Sequence, residues 1–150
     1  MHTSVFITEA IRELKVIPGG KYIDATFGEG GHSKAIALAG GSVLGIEADE
    51  LQHQKHKESP IPVIHANFAD IAQVAKENNF YPVQGILFDL GLSMEQLSKS
   101  RRGFSFKRAE EPLDMRIGDT SYAAAEIIQK APAEELKSVL IKYSEEQLAE

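Results

Sequence analysis

The sequence predicts an α/β fold, a parallel sheet with helices between its strands, followed by a helical insertion or subdomain. Short apolar runs alternate with helix-period segments as far as Asp89. A glycine-rich turn, "FGEGGHS", joins the first apolar run to the helical pattern after it. Beyond Asp89 the alternation stops, and the chain turns irregular and then wholly helical in pattern. Strand–helix alternation of this kind implies parallel strands joined by right-handed crossovers.

Taken in order, Thr8 caps a short helix over residues 9–14, which Pro18-Gly19-Gly20 ends. Residues 21–25 form a buried strand, and 31–39 a helix with Ile36 and Leu38 facing inward. A second strand, 42–47, precedes a polar helix at 50–57. A third strand at 61–65 leads to a helix over 68–78, with Ile71, Val74 and Ala75 on one stripe, and 84–89 is a fourth strand. Residues 90–118 are mostly irregular, and 122–150 are helical. Residues 1–118 are thus expected to be core, and 119–150 to start a helical insertion domain.

Composition narrows the function classes. The 150 residues carry a formal net charge of −6, so a general polyanion binder is excluded and nucleic-acid contact must come from a local basic patch. The absence of cysteine excludes a disulfide framework, a thiolate metal site and a cysteine nucleophile, and it fits a reducing compartment such as the cytoplasm. No apolar run approaches a membrane span, and the acidic N-terminus does not resemble a signal peptide.

Ligands in parallel sheets sit beyond the carboxyl ends of the strands. Three of the four strands end near a carboxylate: Asp24, Glu47 and Asp89. Gly28, Gly30 and Gly31 let a ligand approach the backbone, and Glu47 lies about 20 residues beyond the turn, where an acid grips ribose hydroxyls. A dinucleotide site shares these features, so a nicotinamide-dependent oxidoreductase stays open on residues alone. Two details favour S-adenosylmethionine. The spacing is G-x-G-G, and Asp24 suits a cationic amino-acid end better than a pyrophosphate. The bland alternative is that the glycines only make a tight turn.

"HTSVFITEAI", "YIDATFGEGGHS", "HANFADI", "GILFDLGLSMEQL" and "RRGFSFKRAEEPLDMR" follow one another as in the RsmH (MraW) family, which the chain resembles along essentially its whole length. The resemblance implies a partial Rossmann-like, S-adenosylmethionine-dependent methyltransferase core with a helical insertion. The implied activity is transfer of a methyl group to the N4 amino group of a cytidine in 16S ribosomal RNA, with small-subunit RNA or the small ribosomal subunit as partner. By the same resemblance Gly30, Gly31 and His32 hold the donor, Glu47 takes the ribose hydroxyls, Phe68 packs near the adenine, and Asp89 and Gln96 complete the pocket. The chain departs from the family pattern at Glu47 (usually aspartate), Ala48 (usually basic), Met94-Glu95 (usually Ser-Pro) and Glu111 (usually glycine). Family members run to about twice this length, with further core strands after the insertion.

The cytosine amino nitrogen is a poor nucleophile, and hydrogen-bond acceptors on its N–H groups help it react. The Asp89 carboxylate and the Leu90 backbone carbonyl are the candidate catalytic acceptors, with a donor-binding role alone as the alternative for Asp89. Lys99, Arg101, Arg102, Lys107 and Arg108, interleaved with Phe104 and Phe106, form the candidate RNA-binding stretch. It could equally be a solvated loop whose phenylalanines, two apart, both face inward. Asp114 and Arg116 either shape the acceptor pocket or pair with each other. His53 and His56 stand at metal-ligand spacing without a convincing third ligand, and are expected to be surface histidines; His32 either contacts the donor or caps its helix.

The fourth strand, "QGILFD", is apolar enough for burial on both sides, yet the usual methyltransferase strand order that the resemblance implies would leave it an edge among four strands. The later helices or a second copy of the chain are expected to cover it. The chain is accordingly expected to be a fragment, with a non-catalytic donor- or RNA-binding role as the alternative to the full enzyme.

Overall fold

The computed structural model of the chain describes residues 4–118 and 122–144. Its described residues form two compact units. The first runs to Met94 and takes back Ile117 and Gly118; the second comprises Glu95–Arg116 and the described residues from Tyr122 onward.

The first unit is built on a four-stranded parallel sheet, in the order β3-β2-β1-β4. The strands are β1 (Lys21–Asp24), β2 (Ser42–Glu47), β3 (Val63–His65) and β4 (Gly85–Leu87). Asp24 lies opposite both Gly45 and Leu87, and Glu47 opposite His65, so β1 and β4 end level with each other while β2 and β3 run two residues further. Successive side chains of a strand face opposite ways, which divides the core in two. Tyr22 and Val43 pack with Ile36 of α2 (Gly31–Leu38) and Ile11 of α1 (Ile7–Glu13). Ile23 and Leu44 pack with Val74, Ile71 and Ala75 of α4 (Ile71–Glu77). The chain runs outward from β1 to β2 and β3, then returns to the other side of β1 for β4. That reversal is the switch point at which open parallel sheets bind ligands.

Several expectations need correction. Thr8 lies inside α1 and does not cap it; the cap position is Phe6, in the left-handed region at φ 53° with no side-chain cap bond. Ile36 is fully buried, but Leu38 is 89% exposed. Two residues on a helix are about 200° apart, so both could not face one core. α3 is only Glu50–Gln54, started by the Asp49 carboxylate accepting the Leu51 N–H. The predicted helix at 68–78 begins as a 3-10 turn, Phe68–Asp70, with Asn67 as its cap, before α4. β3 and β4 are shorter than their apolar runs.

The second unit contains α5 (Met94–Lys99, its first residue belonging to the first unit), α6 (Ala124–Lys130) and α7 (Ala133–Ser144). Ala131, extended before Pro132, separates the last two. Neither α6 nor α7 buries a residue: Ile127, Ile128, Val139 and Ile141 are all about half exposed. In the first unit, Ile86 of the edge strand β4 and Phe88 just after it are exposed.

Candidate functional site

The carboxyl rim of the sheet gathers the acids expected there. Asp24 is buried at the end of β1. Its Oδ2 accepts the Ser33 hydroxyl at 2.7 Å, and its Oδ1 the Thr26 N–H at 3.2 Å. Burial pushes its carboxyl above the ordinary value, against those two hydrogen bonds. Glu47, also buried, ends β2. Its Oε1 accepts the Asp49 N–H at 2.9 Å and its Oε2 the Gly28 N–H at 3.0 Å. Burial raises this carboxyl too, opposed by the same two amides. Each acid is thus desolvated and hydrogen-bonded to neutral donors.

Between the two acids runs the glycine loop. Gly28 and Gly30 both have positive φ, at 53° and 73°. A Cβ on Gly28 would meet nothing nearer than the Thr26 carbonyl at 3.9 Å, whereas one on Gly30 would stand 2.7 Å from the Phe27 ring. Phe27 is buried, and the loop folds over it, with the Gly30 N–H bonded to the Phe27 carbonyl at 2.8 Å. A side chain on Gly31 would collide with Ser4. These glycines therefore satisfy the chain's own packing as well as leaving backbone accessible. His32 does not cap α2. Its buried ring bonds to the Val5 carbonyl through Nε2 at 2.9 Å, and Nδ1 lies 3.8 Å from an Asp89 oxygen. The N-terminal segment is thereby seated on the loop.

At the switch point, the Asp89 N–H donates to Thr26 Oγ1 at 2.7 Å, and the Ala25 N–H to the Leu87 carbonyl at 2.9 Å. The Asp89 carboxylate is about half exposed, and Leu90 is 70% exposed. Phe68, after β3, stands edge-to-face with Phe88, after β4, with ring centroids 5.7 Å apart. The structure therefore brings Asp24, Gly28, Gly30, Gly31, His32, Glu47, Phe68 and Asp89 together in one unit. Gln96 lies buried in α5, within the other.

The basic stretch belongs wholly to the second unit, and its residues divide. Arg108 bonds Glu111 and the Leu97 carbonyl, both at 2.8 Å. Arg102 donates to the Arg116 carbonyl at 2.8 Å and lies over the half-buried Phe104 ring. Lys99, Arg101 and Lys107 are exposed, and Phe106 is 93% exposed, so the two phenylalanines do not both face inward. Asp114 and Arg116 pair through two contacts of 2.7 and 2.8 Å, which lower the Asp114 carboxyl to about 2.

The model of the MraW methylase family matches residues 1–150. The chain belongs to the MraW methylase family. It is 45% identical to a ribosomal RNA small subunit methyltransferase H of Thermomicrobium roseum, over 97% of this chain and 47% of that protein. It is 41% identical to the protein so named in Dehalococcoides mccartyi (97% and 44%), and 38% to that of Methylobacillus flagellatus (99% and 48%). The chain spans about half the length of these relatives.

Within this MraW family member, the departures from the family pattern have definite partners. Glu47 closes onto Gly28 and Asp49, as described. The Ala48 carbonyl bonds the His65 ring at 3.2 Å and lies against Gly118, where a Cβ would approach it to 2.6 Å. Glu111 holds Arg108 and accepts the Gly103 N–H at 3.3 Å. Sequence reasoning missed Thr26, Phe27 and Ser33, which hold the rim, and it misassigned His53 and His56. Neither is a freely solvated surface histidine: His53 bonds the Val63 carbonyl at 3.1 Å, and His56 bonds the Gly28 carbonyl at 2.7 Å. Their sequence spacing carries no sign of these backbone partners.

Proposed function

We propose that the chain binds S-adenosylmethionine at the β1–β2 rim and serves methyl transfer to the N4 amino group of a cytidine in small-subunit ribosomal RNA. The observation that supports this most is the pair of buried acids, Asp24 and Glu47, flanking a glycine loop at the ends of adjacent parallel strands. A carboxylate desolvated as Asp24 is gains most from a cationic partner, and the donor's amino-acid end supplies one. A pyrophosphate there would meet like charge, which disfavours the nicotinamide reading. Each Glu47 oxygen accepts one backbone N–H and keeps a second lone pair for a ribose hydroxyl.

The bound donor supplies an electrophilic methyl group on a sulfonium, whose sulfur departs as a neutral thioether. The Asp89 carboxylate accepts one N–H of the cytidine amino group and takes up the proton that the nitrogen sheds. The Leu90 carbonyl accepts the other N–H. Exposed Lys99, Arg101 and Lys107 hold RNA phosphates, and Phe106 offers a stacking face to an unpaired base. Arg102, Phe104 and Arg108 divide their contacts between this surface and the unit's own structure.

The test has two steps. Calorimetric titration with S-adenosylhomocysteine should show saturable binding and no response to NAD; the reverse would overturn the donor assignment. Labelled methyl transfer to under-methylated small subunits then distinguishes the enzyme from a second reading, a donor-binding module without turnover. The apolar side chains exposed at the edge strand β4, Ile86 and Phe88, favour that second reading. It is also where self-association would occur, read by sedimentation.

A further inference from the structure

We infer that His56 is a positioning residue for the glycine loop, an assignment that rests on the donor site proposed above. The Gly28 carbonyl can only accept, so the His56 Nε2 at 2.7 Å must carry the proton and donate it. The same glycine gives its N–H to Glu47 Oε2 at 3.0 Å. Gly28 is thus gripped at both its polar atoms by side chains from outside the loop, one from β2 and one from beyond α3. The His56 ring also stands against the Phe27 ring, with centroids 4.8 Å apart and planes at 72°. Phe27 is the residue over which Gly30 folds.

The two grips have a joint consequence. With φ at 53° and no atom near its absent Cβ closer than 3.9 Å, Gly28 has little packing of its own to fix it. Glu47 sets its N–H, and the Glu47 carboxylate is also the proposed ribose acceptor. His56 sets its carbonyl and so holds the peptide plane that follows, which leads to Glu29 and Gly30. Loss of the His56 bond leaves that plane free to rotate about the Gly28 Cα–C bond while Glu47 still holds the preceding peptide, and the loop then no longer presents one backbone geometry to the donor. Pre-set geometry of this kind lowers the ordering cost of binding. His56 is placed here as a residue that acts through the loop, without touching the donor.

The experiment compares wild type, His56→Leu and His56→Gln in the 150-residue chain. Leu keeps an apolar body beside Phe27 but donates nothing; Gln restores an N–H donor at similar reach. S-adenosylhomocysteine affinity should fall about tenfold in the Leu variant and recover in the Gln variant. Amide exchange at Gly28, Glu29 and Gly30 should speed up in the Leu variant while that of Val43 and Leu44 stays slow. Unchanged loop exchange, or unchanged affinity beside a wild type that binds, would overturn the assignment of His56 alone. A wild type that binds no S-adenosylhomocysteine would instead overturn the donor reading, and this assignment with it. A Leu variant whose Val43 and Leu44 amides also speed up equally would make His56 a general stability residue and overturn the positioning role.

Discussion

In the glycine loop, the Gly28 N–H and carbonyl, the Gly30 N–H and the His32 ring each meet a partner within 3.0 Å. In the basic stretch of the second unit, Arg102 and Arg108 are similarly engaged, while Lys99, Arg101, Lys107 and Phe106 extend into solvent. The contrast follows from what each surface is proposed to bind. A small donor with fixed hydroxyls and one cationic end is recognised by groups that do not have to reorganise. A phosphate chain is held by mobile point charges whose attraction depends little on exact placement and strongly on salt.

The sharpest way to break this contrast is Gly30→Val. A β-branched residue at φ 73° is strained, and its Cβ would press into the Phe27 ring. Donor binding should vanish, and the melting temperature should fall with it, by an amount set by roughly 1–3 kcal/mol of overpacking. Gly28→Ala isolates the backbone part of this effect, since its Cβ would meet nothing nearer than 3.9 Å while φ 53° still strains any side chain. If Gly30→Val binds S-adenosylhomocysteine as wild type does, the loop is not pre-set.

Glu47→Ala comes next. It removes the acceptor of two backbone N–H groups together with the proposed ribose contact. Charged hydrogen bonds are worth roughly 1.5–3 kcal/mol, so affinity should drop by about 10- to 100-fold. Calorimetry returning wild-type affinity would remove Glu47 from the pocket.

In the basic stretch, changing Lys99, Arg101 and Lys107 to Ala should weaken RNA binding and flatten its dependence on salt, while thermal stability and donor affinity stay put. Arg108→Ala should do the opposite. It breaks the contacts to Glu111 and the Leu97 carbonyl, so the second unit loses stability by about 1–3 kcal/mol. A salt slope that responds to Arg108 and not to the exposed trio would reverse the division drawn here.

How much of this was legible before the structure depends on the range of the interaction. The strand–helix alternation, the carboxylates at the strand ends and the glycine loop follow from local periodicity and residue type, whereas the strand order does not; the second strand spans 42–47, as its apolar pattern predicts. Leu38 is exposed because helical geometry puts it opposite the buried Ile36, which apolar character alone does not reveal. The partners of His56 and His32 lie 28 and 27 residues away and are backbone atoms, so no pattern of side chains could announce them. The roles of Arg102 and Arg108 were hidden for the same reason, since a carbonyl acceptor leaves no mark on composition.

The smallest effect expected is also the most discriminating. Asp24 is raised by burial from an ordinary value of 3.8, so the folded chain keeps its proton to higher pH than the unfolded chain. Its contribution to stability is therefore greatest below the ordinary value and is lost as pH rises through the folded value. Asp24→Asn removes the charge while keeping the geometry: the amide oxygen can accept the Thr26 N–H, and the amide nitrogen can donate to the Ser33 hydroxyl. The variant should melt at or slightly above the wild-type temperature at pH 7 and show a flatter dependence of stability on acid pH. Its affinity for S-adenosylhomocysteine should nevertheless fall, because the cationic end of the ligand loses its counter-charge. A purely structural Asp24 would leave ligand affinity unmoved, and a wild-type binding curve in the Asn variant would assign the residue to the fold alone.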